Sequence, residues 1–228
     1  MTRLPRRPRC FLNVAVSLDG KISSSHRGRP TFPSREDRRR MDLIRARADA
    51  VLIGAATLRA SDFPLRVRSS VLRRRRVSQG RPEQPLNILL SSHLRVPLQG
   101  RFFSGADTRR LVFTTPLAGR QARQAARRTA EVVVWRGKSI HLDRLMRELY
   151  SRGIRQLLLE GGGATNFDFF RQGMVDEIYM TLCPVIIGGA KSPTPVDGTG
   201  FNPHDFQHYA PASVQRKGGE LFLHYLRT

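Results

Sequence analysis

Short apolar runs alternate along the chain with segments whose apolar residues recur every three or four positions. The runs Phe11 to Val16, Ala50 to Ile53, Leu86 to Leu90, Leu111 to Thr114, Glu131 to Trp135 and Gln156 to Leu159 have the length and content of strands. Between them the spacing predicts a helix from Ser34 toward Arg47, with Met41, Ile44 and Ala48 on its apolar face, and helices over Ala118–Arg128 and His141–Ser151. Ser34 is a good N-cap, and Asp37 three residues on makes a variant of the capping box. Strands alternating with helices imply an α/β fold, a mainly parallel sheet with helices on both faces. The last quarter changes rhythm: Asp176 to Pro184 and Glu220 to Leu226 read as strands with no convincing helix between them. The sheet is therefore expected to finish in an antiparallel C-terminal pair. Ala55 to Pro85 reads as a long basic loop holding the run Arg73 to Arg76, a length that is uncommon without a function. No repeat or linker divides the chain, so residues 10–228 are expected to form one domain after a basic tail of residues 1–9.

The richest chemistry lies in Gln156 to Phe167. An apolar run ends on Glu160, Gly161, Gly162 and Gly163 follow, and an amphipathic segment with Phe167, Phe169, Phe170 and Met174 begins at once. That is strand, tight turn, helix. Residues without Cβ let backbone N–H groups approach an anion closely, and the helix N-terminus adds about half a positive charge. Glu160 sits where ligands bind in open α/β sheets, at a strand's carboxyl end. A glycine-rich connection with no ligand has the same bare pattern.

Charge adds a distraction. The 228 residues carry a net charge of +22, from 40 Lys plus Arg of which only Lys21, Lys138, Lys191 and Lys217 are lysine. The arginines are dispersed in clusters such as Arg38–Arg40, Arg109–Arg110 and Arg127–Arg128, without interleaved aromatics to stack on bases. Most of them read as solvated surface, which favours anionic phosphorylated ligands over specific nucleic-acid binding. Cys10 and Cys183 lie far apart in apolar segments, as reduced core residues of a cytoplasmic protein do, and neither has a metal-ligand partner at short spacing. No apolar stretch approaches the ~20 residues of a membrane span.

Several motifs in order carry a resemblance: Val16-Ser17-Leu18-Asp19-Gly20-Lys21-Ile22; Leu43-Ile44-Arg45-Ala46 with Asp49 to Gly54; Ser92 to Leu98; Leu158 to Gly163 with Val175-Asp176-Glu177 and Gly188-Gly189. From Phe11 to Leu226 the chain resembles the pyrimidine reductases of riboflavin biosynthesis, a dihydrofolate-reductase-like group. The stretch Ile154 to Phe201 is most similar to the stand-alone members, and the zinc signature of a fused deaminase does not precede it.

The resemblance implies NADPH-dependent reduction of a ribosylaminopyrimidine 5′-phosphate to the ribitylamino compound by a homodimer. Arg45, Leu65, Arg68 and Glu160 match substrate-contact positions, and a guanidinium fork suits a phosphate. Gly161, Gly162, Gly163, Ala164, Thr165 and Asn166 match the cofactor's phosphate-binding turn, while Thr57 and Ser92 match further NADPH contacts. Arg95 follows Ser92 after a strand, where a 2′-phosphate is expected. Thr31 stands where bacterial members carry an aromatic cofactor-lining residue, and Ala15 is expected near the nicotinamide edge. Asp19, in the loop after the first strand, is the candidate proton donor. Two positions depart from the pattern: Ser61 replaces an acid that contacts the cofactor, and Ser91 stands where Asp is usual. A related reductase for another pterin or pyrimidine, or a basic nucleic-acid-associated protein on the same fold, are the alternatives. For the dimer, the alternation Ile178, Met180, Leu182, with Val185, on a late and edge-placed strand is the expected interface.

Overall fold

The computed structural model describes residues 7–26, 28 and 31–228. The chain runs β1 (Arg9–Ser17), α1 (Arg35–Arg47), β2 (Ala50–Gly54), α2 (Ala55–Ala60), α3 (Ser70–Ser78), β3 (Leu86–Leu90), β4 (Arg110–Thr114), α4 (Arg120–Arg127), β5 (Glu131–Val134), α5 (Leu142–Ser151), β6 (Gln156–Leu159), α6 (Gly163–Arg171), β7 (Glu177–Cys183), a one-turn helix Pro203–Asp205, β8 (Tyr209–Lys217) and β9 (Glu220–Arg227). The strands form one sheet in the order β5-β4-β3-β2-β6-β1-β7-β9-β8. Every pairing from β5 across to β7 is parallel, and β9 then joins β7, and β8 joins β9, antiparallel.

Alternation along each strand divides two apolar layers. Leu12, Leu52, Leu157 and Leu159 face α5 and α6, meeting Leu145, Leu149, Phe169 and Phe170. Their neighbours Phe11, Val51, Ile53 and Leu158 face the other way, onto Ile44 of α1, Leu58 of α2 and Ala126 of α4. Covered on both sides, β2 is buried along its whole length, as a central parallel strand is. The α/β class with helices on both faces is therefore as expected.

Several local expectations are corrected. The Ala55–Pro85 stretch holds two helices, α2 and α3, and the run Arg73 to Arg76 lies in α3, whose N-cap Ser69 accepts from the Leu72 N–H. Arginine is a good helix former, and this run is relieved of self-repulsion where Arg73 pairs with Glu83 at 2.7 Å and Arg76 turns inward. Two arginines outside the cleft are exceptions to the solvated majority. Arg76 is buried and donates to the carbonyls of Ala46, Ala48 and Pro82, burial pulling its pKa down to about 10. Arg110 of β4 is likewise buried and serves the carbonyls of Phe102, Ser104, Gly105 and Thr129. Five donors on one planar group let a single side chain satisfy several loop carbonyls.

Ser34 caps α1, its hydroxyl accepting from the Glu36 and Asp37 N–H groups, but the capping box does not close through Asp37. The Ser34 N–H instead donates to Glu220 of β9 at 2.9 Å. The expected antiparallel pair is present as β7 and β9, β8 extends it by one further strand, and β7 lies between β1 and β9 rather than at an edge. At the N-terminus, residues 1–6 of the expected tail lie outside the described residues. Arg9 is already in β1, and Arg7 forms a two-pronged pair with Asp176 at 2.6 and 2.7 Å.

Candidate active site

A cleft of about 570 Å³ opens over the carboxyl half of β1 and the carboxyl ends of β2 and β6, within the size range of a cofactor-plus-substrate site. One wall is the turn after β6. Gly162 is the N-cap of α6 and makes no side-chain cap bond, so the first N–H groups of that helix face the cleft unclaimed by any cap. Side chains have no room here: a Cβ on Gly162 would lie 2.8 Å from Thr57 Oγ1, and one on Gly163 would lie 2.3 Å from an Asp197 carboxylate oxygen. Across the turn, Thr57 Oγ1 is itself buried and has no hydrogen-bond partner among the described residues. An uncapped helix end, a glycine cradle and an orphaned hydroxyl fit an anionic nucleotide.

The second wall is α1. Asp37, Met41 and Arg45 recur every four residues and form one stripe along the cleft. Arg45 donates through Nε and Nη2 to the two Glu160 oxygens at 2.7 and 2.6 Å, and through Nη1 to the Arg66 carbonyl at 2.9 Å. Both side chains are nearly enclosed, at 2% and 9% exposure. Burial works against the Arg45 charge, but Glu160 outweighs it and the guanidinium pKa is raised. The two residues expected at the substrate thus hold each other, presenting a fixed, charge-balanced polar surface.

The mouth is basic. Arg68 is half-exposed, lines the cleft and reaches no closer than 3.9 Å to Asp42, so its guanidinium is only loosely held. Arg66 pairs with Asp107 at 2.6 Å while its buried Nε has no partner among the described residues. Neither Arg66 nor Arg101 was singled out in the sequence, and Asp37 on α1 stood out only as a capping-box acid. Arg66 and Arg101 lie among many arginines, and Asp37 resembles an ordinary helix-start acid.

Of the residues expected at the cofactor, Ala15, Thr57, Ser61, Ala164 and Thr165 line the cleft with the three glycines. Thr165 also packs under Gly54, where a Cβ would lie 2.2 Å from its Oγ1. Asn166 is buried behind the turn, donating to the Pro195 carbonyl at 2.7 Å. Thr31 and Arg95 are exposed and Ser92 is half-buried, all three outside the lining, although Arg59 of α2 binds the Arg95 carbonyl at 3.1 Å. Leu65 is a core residue whose backbone is bonded on both sides by the Asn87 amide. Asp19 is also outside the lining: it accepts from the Ser17 hydroxyl and from the Ile187 and Gly188 N–H groups, which hold its carboxyl down at about 2. Such a group pins a loop and has no proton to give near neutral pH. Of the two departures, Ser91 keeps the acceptor role expected of an acid, taking the Leu94 N–H at 2.9 Å in a tight turn. Asp62, next to Ser61, is turned away to the Arg101 and Phe102 N–H groups.

A glycine turn meeting a helix end at the carboxyl edge of a parallel sheet, with a basic mouth beside it, defines an α/β protein suited to an anionic ligand. Residues 8–221 match the RibD C-terminal domain family. The chain is similar to the 2,5-diamino-6-ribosylamino-4(3H)-pyrimidinone 5′-phosphate reductase of Archaeoglobus fulgidus, 38% identical over 86% of this chain and 89% of that one. The protein of that name from Methanothermobacter thermautotrophicus is 32% identical over 86% and 87%. Among solved structures, a pyrimidine reductase-like protein of Corynebacterium diphtheriae superposes with a TM-score of 0.84 at 23% identity, covering 97% of this chain and 92% of that one, which bears on the fold alone. This chain belongs to the RibD C-terminal domain family.

Proposed function

We propose that the protein is the NADPH-dependent reductase of riboflavin biosynthesis that converts a ribosylaminopyrimidine 5′-phosphate to its ribitylamino product. The observation that carries this reading is the junction, in one cleft, of the uncapped α6 N-terminus with the buried Arg45–Glu160 pair. Cofactor and heterocycle each meet a surface suited to them, and similarity to the named reductases supplies the substrate class.

Thr57 and the Gly161–Gly163 turn would hold the nicotinamide dinucleotide, which supplies a hydride to the sugar carbon bonded to nitrogen. Glu160, fixed by Arg45, accepts hydrogen bonds from amino groups of the pyrimidine, and Arg68 receives the phosphate. Preference for NADPH over NADH is carried by the resemblance and by the exposed charges of Arg59 and Arg95, which meet through a 3.1 Å hydrogen bond outside the cleft lining. Turnover of NADPH with the deaminated and the non-deaminated pyrimidine phosphate, followed by nicotinamide absorbance, tests the reading; no turnover with either overturns it. Equal affinity for NADH and NADPH in a fluorescence titration removes the preference only.

The same reading includes a homodimer in the cytoplasm. Ile178, Met180 and Leu182 of β7 pair in register with Tyr225, Leu223 and Leu221 of β9, and this row, on the sheet face opposite α1, is only half-buried. A central apolar face left half-covered suits a second copy. Sedimentation at the mass of one 25.8 kDa chain at micromolar concentration overturns the dimer. Buried, unpaired Cys10 and Cys183 suit a reducing compartment. Among the described residues no helix is long and apolar enough to cross a membrane.

A further inference from the structure

Three carboxyls line the cleft. Glu160 is locked to Arg45, and Asp197 accepts from the Thr194 N–H and hydroxyl at 3.0 and 2.8 Å. Asp37 differs from both: it is 8% exposed, it forms no ion pair among the described residues, and its partner is the Thr181 hydroxyl. Its location matters as much. Thr181 is paired in register with Ala15, so Asp37 hangs from α1 over the point of β1 where the cofactor's reactive edge is expected.

We propose that Asp37 donates the proton that opens the substrate's sugar ring ahead of reduction, an inference that rests on the reductase reading above. The lone pair of the exocyclic nitrogen forms a C=N bond to the anomeric carbon. The bond from that carbon to the ring oxygen breaks, and the oxygen takes the Asp37 proton to become a hydroxyl. The same carbon then accepts a hydride from the nicotinamide nucleotide, which neutralises the iminium to an amine, and water reprotonates the Asp37 carboxylate. One proton and one hydride are consumed, as the conversion of ribosyl to ribityl requires.

The surroundings shift this carboxyl upward from its ordinary range. Burial pushes Asp37 up, the Thr181 hydroxyl pulls it back, and the Glu220 charge on β9 pushes it up again, against Arg38 and Arg40 of its own helix. The remaining neighbours are Arg45, two turns further along α1, and Cys183 of β7, whose thiol is raised to about 12 and stays neutral. Neither changes charge between pH 5 and 9.

The test is a pH profile of kcat/KM for NADPH-dependent turnover, with NADPH affinity measured separately. Asp37→Asn should lower kcat/KM on the order of a hundredfold, the lower end of general-acid contributions, while NADPH affinity stays within about twofold. The wild type should lose activity on the alkaline side as Asp37 deprotonates, and the variant should lack that limb. Thr181→Val, which removes the hydrogen bond favouring the charged form, should move the limb to higher pH with NADPH binding intact. Wild-type kcat/KM and profile in Asp37→Asn, or NADPH affinity falling in step with activity, overturns the role. Should Asp37→Asn not fold, an unmoved limb in Thr181→Val overturns it. A wild type inactive on both pyrimidine phosphates removes the reductase reading and the proton donor together, whereas an active wild type with an indifferent Asp37→Asn removes the proton donor alone.

Discussion

Two arginine–glutamate constellations sit two residues apart on α1, and they do different work. Arg45 and Glu160 meet bidentately inside the cleft, both almost out of contact with water. Arg47 turns to the other side, where it donates to the Tyr179 hydroxyl and stands 3.5 Å from Glu177, which Arg9 and Tyr179 also serve. There only the carboxylate is buried; Arg9 and Arg47 are 51% and 44% exposed. A buried pair is a costly way to gain stability, since desolvating both ions consumes most of the attraction. Its presence in the cleft is better explained by what it offers a ligand. The Glu177 cluster, with hydrated arginines around one buried acid, is an ordinary structural solution that ties α1 to the sheet.

Breaking each constellation separates the two roles. Arg45→Met leaves the Glu160 carboxylate buried and unpaired, so thermal or urea unfolding should show a loss of about 3–5 kcal/mol together with loss of turnover. The double change Arg45→Met with Glu160→Leu should recover much of the stability and none of the activity. Recovery of activity along with stability would assign the pair a purely structural role.

Arg68→Ala comes next in size. With its guanidinium loosely held at the mouth, its removal should cost little stability yet lower kcat/KM for the pyrimidine phosphate about a hundredfold, or ~2.7 kcal/mol, with NADPH affinity within about threefold. If Arg68→Ala instead abolishes NADPH binding, the assignment of the mouth to substrate is wrong.

Glu177→Gln reverses the pattern. Burial disfavours its charge, but Tyr179, Arg47 and Arg9 overcome that and hold the carboxyl at about 2. A depressed carboxylate stabilises the fold above the ordinary carboxylate range and loses that contribution as pH falls through about 2. The variant should therefore unfold ~1–3 kcal/mol more easily at neutral pH and show a flatter acid limb, with NADPH turnover unchanged. An acid limb identical to the wild type's would refute the assignment.

Ser34→Ala should have the smallest effect. Loss of the hydroxyl that caps the helix carrying both arginines should cost about 1 kcal/mol in chemical denaturation. A change below a few tenths of a kcal/mol would mean that the Ser34 N–H bond to Glu220, which alanine retains, suffices to anchor the helix.

What the sequence makes legible follows from how local each signal is. The parallel strands are near-continuous apolar runs, and the turn at Gly161–Gly163 is contiguous, so both stand out. Strand β8, by contrast, is Tyr-Ala-Pro-Ala-Ser-Val-Gln-Arg-Lys, almost wholly exposed and kinked at Pro211–Ser213, and an edge strand without a buried face leaves no alternation to find. In Arg73 to Arg76, charge obscured a helix whose start was marked by Ser69. At the site, Arg45 and Glu160 are separately suggestive, yet their union spans 115 positions and no spacing rule reports it. Leu65 and Arg95 matched cofactor or substrate positions by motif, while the side-chain packing that decides what faces the cleft is a property of the folded layers.

The position of β1 has a consequence for how the chain comes together during synthesis. Its strand partners are β6 and β7, with Cys10 beside Leu157 and Asn13 beside Tyr179. When a ribosome has released the first hundred residues, β2 and β3 can already pair, but Cys-Phe-Leu-Asn-Val-Ala-Val has nothing to join. Contacts this distant in sequence close slowly, and an unpaired apolar strand is the kind of surface that chaperones and aggregation compete for. The strand that floors the cleft is thus the earliest made and among the last seated, so the cleft cannot take shape until about four-fifths of the chain has emerged.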